Sequence, residues 1–150
     1  MANYVGHARS NFFAVVDEAA FDLFCAKWGL YKIEDAANGV GFYPDDAVWE
    51  DHSLPDAPRA SWRAAHEEPD DDGYIADDYE YEGPDLLDDL APLFAGDSVA
   101  IVMDVGHEKI VYVRGSATAI NNRGERESMS LEDIFDRAAR LGGRVTRAVG

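Results

Sequence analysis

The feature that most constrains the fold is an acidic segment, residues 45–89, in the middle of the chain. It holds 17 of the 30 acidic residues and two basic ones, Arg59 and Arg63, so it carries 15 of the 17 net negative charges. Five of its 45 residues are Leu, Ile, Val or Phe, against 29 of the 105 residues outside it. A segment of this composition buries too little apolar surface to order itself, and its like charges repel one another. The hydrophobic core must therefore come mainly from the two flanking regions.

The flanking regions together have the size of one domain. The chain has 150 residues, of which 47% are hydrophobic, and this is enough for one core. Five of the six prolines fall between positions 44 and 84. We therefore predict a single domain over residues 1–150 with a proline-rich acidic insertion at about 44–83.

The composition argues against several classes of protein. The single cysteine, Cys25, allows no internal disulfide and no cysteine metal cluster within one chain. The N-terminus lacks the pattern of a signal peptide, and no apolar run is long enough to cross a membrane, so we expect a cytoplasmic protein. A net charge of −17 opposes direct binding of nucleic acid or anionic lipid. It favours cations or a basic protein as the partner.

The first 44 residues predict a strand, a helix and a hairpin. Residues 11–16 are aromatic and β-branched, as is typical of a strand. Asp17 is placed to cap a helix whose apolar residues recur at helical spacing until Gly29. Asn38-Gly39 separates two apolar runs and predicts a hairpin turn.

The rest of the chain predicts short helices and a second hairpin. Residues 61–68 could form a helix, and Pro84 suits the first position of another that ends at Pro92. Residues 99–105 and 110–120 form the second hairpin, and their imperfect alternation predicts burial of parts of it on both faces.

A strand near residues 125–129 and a C-terminal helix complete the predicted elements. Ser130 caps this helix, with Asp133 at the capping-box position. Its apolar stripe should pack against the core, and consists of Leu131, Ile134, Phe135, Ala138 and Leu141. The whole order predicts an α+β fold: an antiparallel sheet with two to three helices packed on one face.

No catalytic pattern accompanies these elements, and we predict that the protein is not an enzyme. Cys25 lies on the apolar side of its helix without a basic neighbour, which is typical of an inert core thiol. The histidines lie far apart in the sequence, and no glycine run has the setting of a phosphate loop. We expect no cofactor and no metal site.

Calcium binding by part of the insertion is the main alternative. Counted from Glu68, the residues Asp70, Asp72 and Gly73 fall at positions 3, 5 and 6 of a calcium loop. Position 12, which requires a bidentate Glu, is Tyr79 instead. A divalent-cation-responsive binding protein therefore stays open as an alternative function.

The acidic segment also has the charge of a short piece of nucleic acid. Duplex DNA presents one negative charge per ~1.7 Å, so 15 net charges match roughly 25 Å of duplex. Interleaved aromatic residues could anchor the segment or form contact hot spots; they are Trp49, Trp62, Tyr74, Tyr79 and Tyr81. The candidate partner-binding residues are Glu67, Glu68, Asp70, Asp71, Asp72, Asp77, Asp78, Glu80, Glu82, Asp85, Asp88 and Asp89.

The two ends of the chain resemble a family of small acidic proteins carried by bacteriophages and other mobile elements. The resemblance lies in Asn3-Tyr4, in Arg9-Ser10-Asn11-Phe12-Phe13 with Val15 and Asp17, in Gly106-His107-Glu108-Lys109, and in Val145-Thr146-Arg147-Ala148. It implies a mobile-element setting. Strongly acidic small proteins of that setting are often similar in role to anti-restriction or anti-CRISPR DNA mimics.

We therefore predict a non-enzymatic inhibitor or binding protein that mimics nucleic-acid phosphates. Its partner would be a basic nucleic-acid-binding protein or complex of the host, whose groove it occupies. Besides the cation-responsive alternative, a structural or maintenance component of a phage or plasmid stays open, with the acidic residues serving only solubility.

Overall fold

The computed structural model describes residues 4–46, 49, 53–66, 80–108 and 112–146. The elements in chain order are β1 (Tyr4–Ser10), α1 (Glu18–Trp28), β2 (Leu30–Asp35), β3 (Gly39–Pro44), α2 (Arg59–His66), α3 (Leu86–Leu90) with a 3-10 turn at Ala91–Leu93, β4 (Val99–Glu108), β5 (Tyr112–Asn121), β6 (Arg126–Ser130) and α4 (Asp133–Ala139).

The strands form two antiparallel sheets. The main sheet has the order β1-β4-β5-β6, and β2 pairs with β3 in a separate hairpin. Two isolated bridges, Phe13 to Val40 and Val15 to Phe94, connect the segment after β1 to the hairpin and to the 3-10 turn. This mixture of helices with antiparallel sheets confirms the predicted α+β fold class.

Helix α1 begins and ends where the sequence predicts. A carboxylate oxygen of Asp17 accepts from the backbone N–H groups of Ala19 (2.9 Å) and Ala20 (3.4 Å). At the other end Gly29 takes φ 66°, the left-handed conformation that favours glycine, and its N–H donates to the Cys25 carbonyl. A cap such as Asp17 stabilises a helix by about 1 kcal/mol.

The predicted strand over residues 11–16 is wrong, because β1 ends at Ser10. The Asn11 side chain then continues the pairing with β4: its Oδ1 accepts from the N–H of Ile101 (2.7 Å), and its Nδ2 donates to the carbonyl of Val99 (3.2 Å). The fully buried Ser10 Oγ accepts from the N–H of Phe42 (2.9 Å) and donates to the Asn11 carbonyl (2.8 Å). These side-chain bonds end the regular strand.

Helix α3 begins two positions later than predicted, at Leu86 instead of Pro84. Asp85 is its N-cap and accepts from the N–H of Asp88 (2.7 Å), so Pro84 precedes the helix. The α-helix ends at Leu90, close to the predicted end at Pro92, and the chain continues through Pro92 as a 3-10 turn. Proline is tolerated there because the first turn of a helix leaves its N–H groups unpaired.

The core lies between the main sheet, the hairpin and helices α1 and α3. Its centre is aromatic: Phe13 packs edge-on against Phe21, Phe42 and Phe94, with ring centroids 5.2–6.4 Å apart. The buried cluster consists of Phe13, Phe21, Phe24, Cys25, Trp28, Leu30, Val40, Phe42, Leu86, Leu90, Ala91, Phe94, Ala100, Val102 and Ile120. Two of these, Leu86 and Leu90, are the main contribution of the acidic segment and its immediate end to the core.

The other face of the main sheet is exposed. Strand β4 alternates the buried Ala100 and Val102 with Ile101, Met103 and Val105, which are 41%, 40% and 50% exposed. The expectation that this hairpin is buried on both faces is therefore wrong for these residues. We call this surface the open face; its exposed large apolar side chains are Val99, Ile101, Met103, Val105, Val113 and Met129.

Helix α4 is similarly exposed. It starts at Asp133, with Glu132 rather than Ser130 at the N-cap. One half of the predicted capping box forms, since Asp133 Oδ2 accepts from the N–H of Ser130 (2.7 Å). None of its residues is buried, and Ile134 and the following Leu141 are 57% and 88% exposed, so the expected packing of its apolar stripe is wrong.

Candidate functional site

Five of the twelve candidate acidic residues lie in the described part of the chain. They are Glu80, Glu82, Asp85, Asp88 and Asp89, which surround the start of α3. The other seven candidates (Glu67, Glu68, Asp70, Asp71, Asp72, Asp77 and Asp78) lie outside the described residues, as does the whole of the possible calcium loop, residues 68–79.

Asp85 and Asp88 share one cation, Arg126 of β6. The guanidinium donates to both carboxylate oxygens of Asp85 (2.8 and 2.9 Å) and to Asp88 Oδ1 (2.7 Å). These hydrogen bonds hold the pKa of Asp85 below its usual range, although burial opposes the shift. Both carboxylates keep more than half of their side-chain surface in solvent. The cluster is thus a fixed, accessible group with one more negative than positive charge.

Asp89 is more deeply engaged with α1. One of its oxygens accepts from the Lys27 ammonium (2.5 Å) and from the Trp28 indole N–H (3.0 Å), and its side chain is 22% exposed. Trp28 is completely buried. A buried indole N–H without an acceptor is costly, so Asp89 contributes to the attachment of α3 to α1. It is the least accessible of the five described candidates.

Glu80 and Glu82 are exposed and flank Tyr81. The Tyr81 ring packs edge-on against the buried Trp28, at 6.1 Å between ring centroids. Tyr81 therefore anchors this part of the acidic segment to the core, while its two acidic neighbours face solvent.

Two tryptophans of the insertion are also anchors. The Trp49 indole donates to the carbonyls of Trp28 and Gly29 (both 3.1 Å), and its ring packs edge-on against Trp62 of α2. Ala57 is buried nearby in sequence, and the Leu54 N–H donates to Asp104 of β4. Residues 53–66 thus pack against α1 and β4. The described aromatic residues of the insertion mainly anchor it to the core, and contact with a partner is secondary. Tyr74 and Tyr79 lie outside the described residues.

The structure adds an acidic cluster that the sequence analysis did not identify. Lys32 of β2 lies 2.7 Å from Asp22, 2.8 Å from Glu34 and 3.7 Å from Glu18. Hydrogen bonds with Asp22 and Glu34 raise the pKa of Lys32 above its usual value. Glu18 and Asp22 are four residues apart on α1, a spacing that places them on one face and that the sequence could have indicated.

An exposed tyrosine pair lies beside further acidic residues. Tyr31 and Tyr43 are opposite each other in the hairpin and stack at 5.0 Å between centroids. Burial raises the pKa of Tyr43, and Tyr31, Asp46 and Asp45 raise it further. The turn between the two strands spans residues 36–38, and Gly39 already pairs with Asp35. This register differs from that of a two-residue Asn38-Gly39 turn, so the sequence analysis could not have paired these tyrosines.

The chemistry of the other candidates is limited. Cys25 is buried, and burial together with the charge of Asp22 raises its pKa to about 12, as expected for an inert thiol. Within the described ranges, no three His, Cys, Asp or Glu side chains come together in a way that could hold a metal ion.

Among the described residues, no helix combines the length and the apolar character needed to cross a membrane. The chain matches no protein family, no curated protein and no solved structure at a significant level.

Proposed function

We propose that this protein is a non-enzymatic binding protein or inhibitor whose acidic side occupies the basic nucleic-acid groove of a host defence or DNA-handling complex. It acts there as a substitute for the phosphates of nucleic acid, without binding nucleic acid itself. A partner of this class places its action in the cytoplasm.

One observation carries the proposal: two ion clusters of the described surface contain more carboxylates than cations. Three carboxylates surround Lys32, and two share Arg126. The chain's own basic residues thus fix acidic side chains in place without neutralising them. Such a surface keeps a negative potential that attracts a cationic cleft.

Preorganisation of these carboxylates favours binding. The bonds to Arg126 restrict Asp85 and Asp88, and the Tyr81 contact with Trp28 restricts the backbone between Glu80 and Glu82. Side chains already restricted in the free protein lose less conformational entropy when they bind. Lys or Arg residues of the partner would form charge-assisted hydrogen bonds with the exposed oxygens.

The five described candidates do not contribute equally to this proposal. Glu80 and Glu82 are exposed and suit direct contact with a partner, whereas Asp89 is mainly structural. Asp85 and Asp88 offer exposed oxygens but already have a guanidinium partner. The strongest contacts are therefore expected from Glu80, Glu82 and the seven candidates between Glu67 and Asp78.

The test is capture of partners by the tagged full chain from a bacterial lysate at low and high salt. Binding through opposite charges is fast at low ionic strength and weakens steeply as salt screens it. We expect that the proteins eluted by salt bind duplex DNA, and that added duplex DNA competes with the chain for them. Eluted proteins with no affinity for nucleic acid would contradict the mimicry.

Two variants of equal charge separate a specific surface from general acidity. The first neutralises Asp77, Asp78, Glu80 and Glu82 to Asn or Gln. The second neutralises Asp97, Glu125, Glu132 and Asp136, which are exposed and lie outside both ion clusters. The first should lose capture of the partner, and the second should keep most of it. Equal retention by both variants would favour the account in which the acidic residues provide only solubility.

A further inference from the structure

The open face is apolar over three adjacent strands. By the strand register, Met103 of β4 lies beside Ala117 of β5, which in turn lies beside Met129 of β6. Met103, Met129 and Val113 are 40%, 48% and 68% exposed. The largest apolar patch of a monomeric protein is commonly a few hundred Å², and larger ones mark interaction sites.

The open face is also nearly neutral, unlike the rest of the molecule. Among its described positions, full charges occur on Arg9 of β1 and Glu127 of β6, at opposite edges of the sheet. The acidic segment is attached to the opposite face of the sheet. Arg126, which binds Asp85, and Asp104, which accepts from the Leu54 N–H, alternate along their strands with the open-face residues. Its near neutrality offers little charge to a highly basic partner or to a nucleic acid.

We propose that the open face binds the open face of a second copy of this chain. The two sheets would pack face to face around a two-fold axis that runs parallel to the strands, between β4 and β5. This arrangement places β4 of each copy over β5 of the other, and β1 over β6. A symmetric dimer requires such a self-complementary surface, because each contact occurs twice.

Side-chain size supports this pairing. The open-face positions of β4 carry large residues, whereas Ala117 and Ala119 of β5 are small. In the proposed dimer Met103 lies over Ala117 of the other copy, and Ile101 lies over Ala119. Large residues over small ones let two layers interdigitate.

The space beside Gly115, the glycine of β5, is already filled by a side chain of the same copy. A Cβ added to Gly115 would lie 2.9 Å from a methyl carbon of Leu131, whose side chain covers that position. Leu131 thereby extends the apolar surface and is itself 50% exposed.

The two charges of the face complement each other in the same arrangement. Placing β1 over β6 brings Arg9 of one copy to the edge that carries Glu127 and Met129 of the other. Because the contact is repeated by symmetry, the dimer contains two such pairs of opposite charge.

The area of the face is sufficient for a modest interface. The 32 residues of its four strands cover about 500 Å² per copy, at ~3.3 Å per residue and ~4.8 Å between strands. Two such faces approach the ~1,000 Å² that a specific interface requires. Helix α4 would add to this interface. It follows β6, which lies over β1 of the other copy, so it would reach the groove beside that β1. This groove is a cavity of about 520 Å³ lined in part by Ile33, Tyr43 and Met103.

The mass of the purified chain in solution, measured by light scattering over a range of protein concentrations, tests the proposal. We expect the mass to rise with concentration to twice the 16.5 kDa of one chain. Met103→Lys should raise the dissociation constant at least about tenfold, because a charge would enter an apolar interface. Ala117→Phe, which fills the space for Met103, should weaken the dimer similarly.

Leu23→Lys is the matched control, since Leu23 lies on α1 and is 74% exposed. It should leave the dissociation constant within about twofold. Arg9→Glu and Glu127→Arg should each weaken the dimer by up to about tenfold, and the double variant should restore it. A chain that stays monomeric at every concentration overturns the proposal, as do equal effects of Met103→Lys and Leu23→Lys or a double variant as weak as the single ones.

Discussion

The two faces of the main sheet come from strands of the same alternating pattern but have opposite surroundings. On one face Ala100, Val102 and Ile120 are at most 3% exposed, because α1, α3 and the β2–β3 hairpin complete the core with them. On the other face Ile101 and Val105 are 41% and 50% exposed to solvent. Alternation therefore defines two faces, whereas the elements that the chain supplies decide which face is covered.

The two faces also differ in charge. The covered side carries the acidic segment, tied to the sheet through Arg126 and Asp104. The open face has one arginine and one glutamate at its described positions. The molecule thus has an anionic side, which we propose for a basic partner, and an apolar side, which we propose for a second copy.

The largest expected effect comes from truncating the same residue type on each face. Ile120→Ala should lower the free energy of unfolding by about 2–5 kcal/mol, because it leaves a cavity in the core. Ile101→Ala should cost much less at a protein concentration low enough to keep the chain monomeric. Urea denaturation of both variants measures the difference. Equal losses would show that the open face is packed within the monomer.

A smaller effect is expected from Ser10→Ala, at the junction of the main sheet and the hairpin. It removes the hydroxyl that accepts from the buried N–H of Phe42. An unsatisfied buried donor costs about 1–3 kcal/mol. The exposed Ser128→Ala is the control and should change the free energy of unfolding by less than about 0.5 kcal/mol. A Ser10 variant as stable as the control would contradict this role.

The smallest effect is expected from Arg126→Ala, which breaks the link between the acidic segment and β6. Because the side chain of Asp85 is 53% exposed and that of Arg126 is 31% exposed, solvent screens this ion pair, and the loss at pH 7 should be at most about 1 kcal/mol. Its pH dependence has a definite sign. Arg126 lowers the pKa of Asp85 in the folded state, so this stabilisation is present above the usual pKa of 3.8 and is lost as the pH falls through the folded value.

The variant should therefore lose less stability than the native chain between pH 5 and pH 2, where unfolding free energies can be compared by urea titration. Arg140→Ala, a change at the exposed residue that follows α4, is the control and should follow the native chain. If the Arg126 variant shows the same acid sensitivity as the native chain, the bonds to Asp85 contribute nothing to folding.

Signals from residues close together in the sequence predicted part of the secondary structure. The Asp17 cap and the Gly29 stop depend on residues close together in the sequence, and the bounds of α1 follow from them. The Asn38-Gly39 signal correctly indicated a hairpin, although the turn lies at residues 36–38 and Gly39 belongs to β3. The predicted strand over residues 11–16 failed because Asn11 and Ser10 bond to β4 and β3, which follow much later in the chain. Ser10 and Asn11 therefore have a structural role, since they join β1 to β3 and β4.

The candidate site was predictable only in its charge. Asp85 and Asp89 bond to Arg126 and Lys27, which are 41 and 62 positions away, and no local pattern indicates such pairs. Spacing correctly indicated the C-terminal helix, although Leu131 and Leu141 of the predicted stripe lie outside α4. The burial of the stripe was not predicted correctly, since periodicity does not say whether a partner surface exists within the chain.

Sedimentation velocity of the native chain at low and high salt tests most directly whether charge and apolar surface are separated in this molecule. Two copies with a charge of −17 each repel one another, and salt screens this repulsion without weakening apolar contact. We predict a shift from monomer towards dimer as the salt concentration rises, the opposite of the salt dependence expected for the basic partner. Self-association that falls with salt, or a monomer under all conditions, would contradict the account.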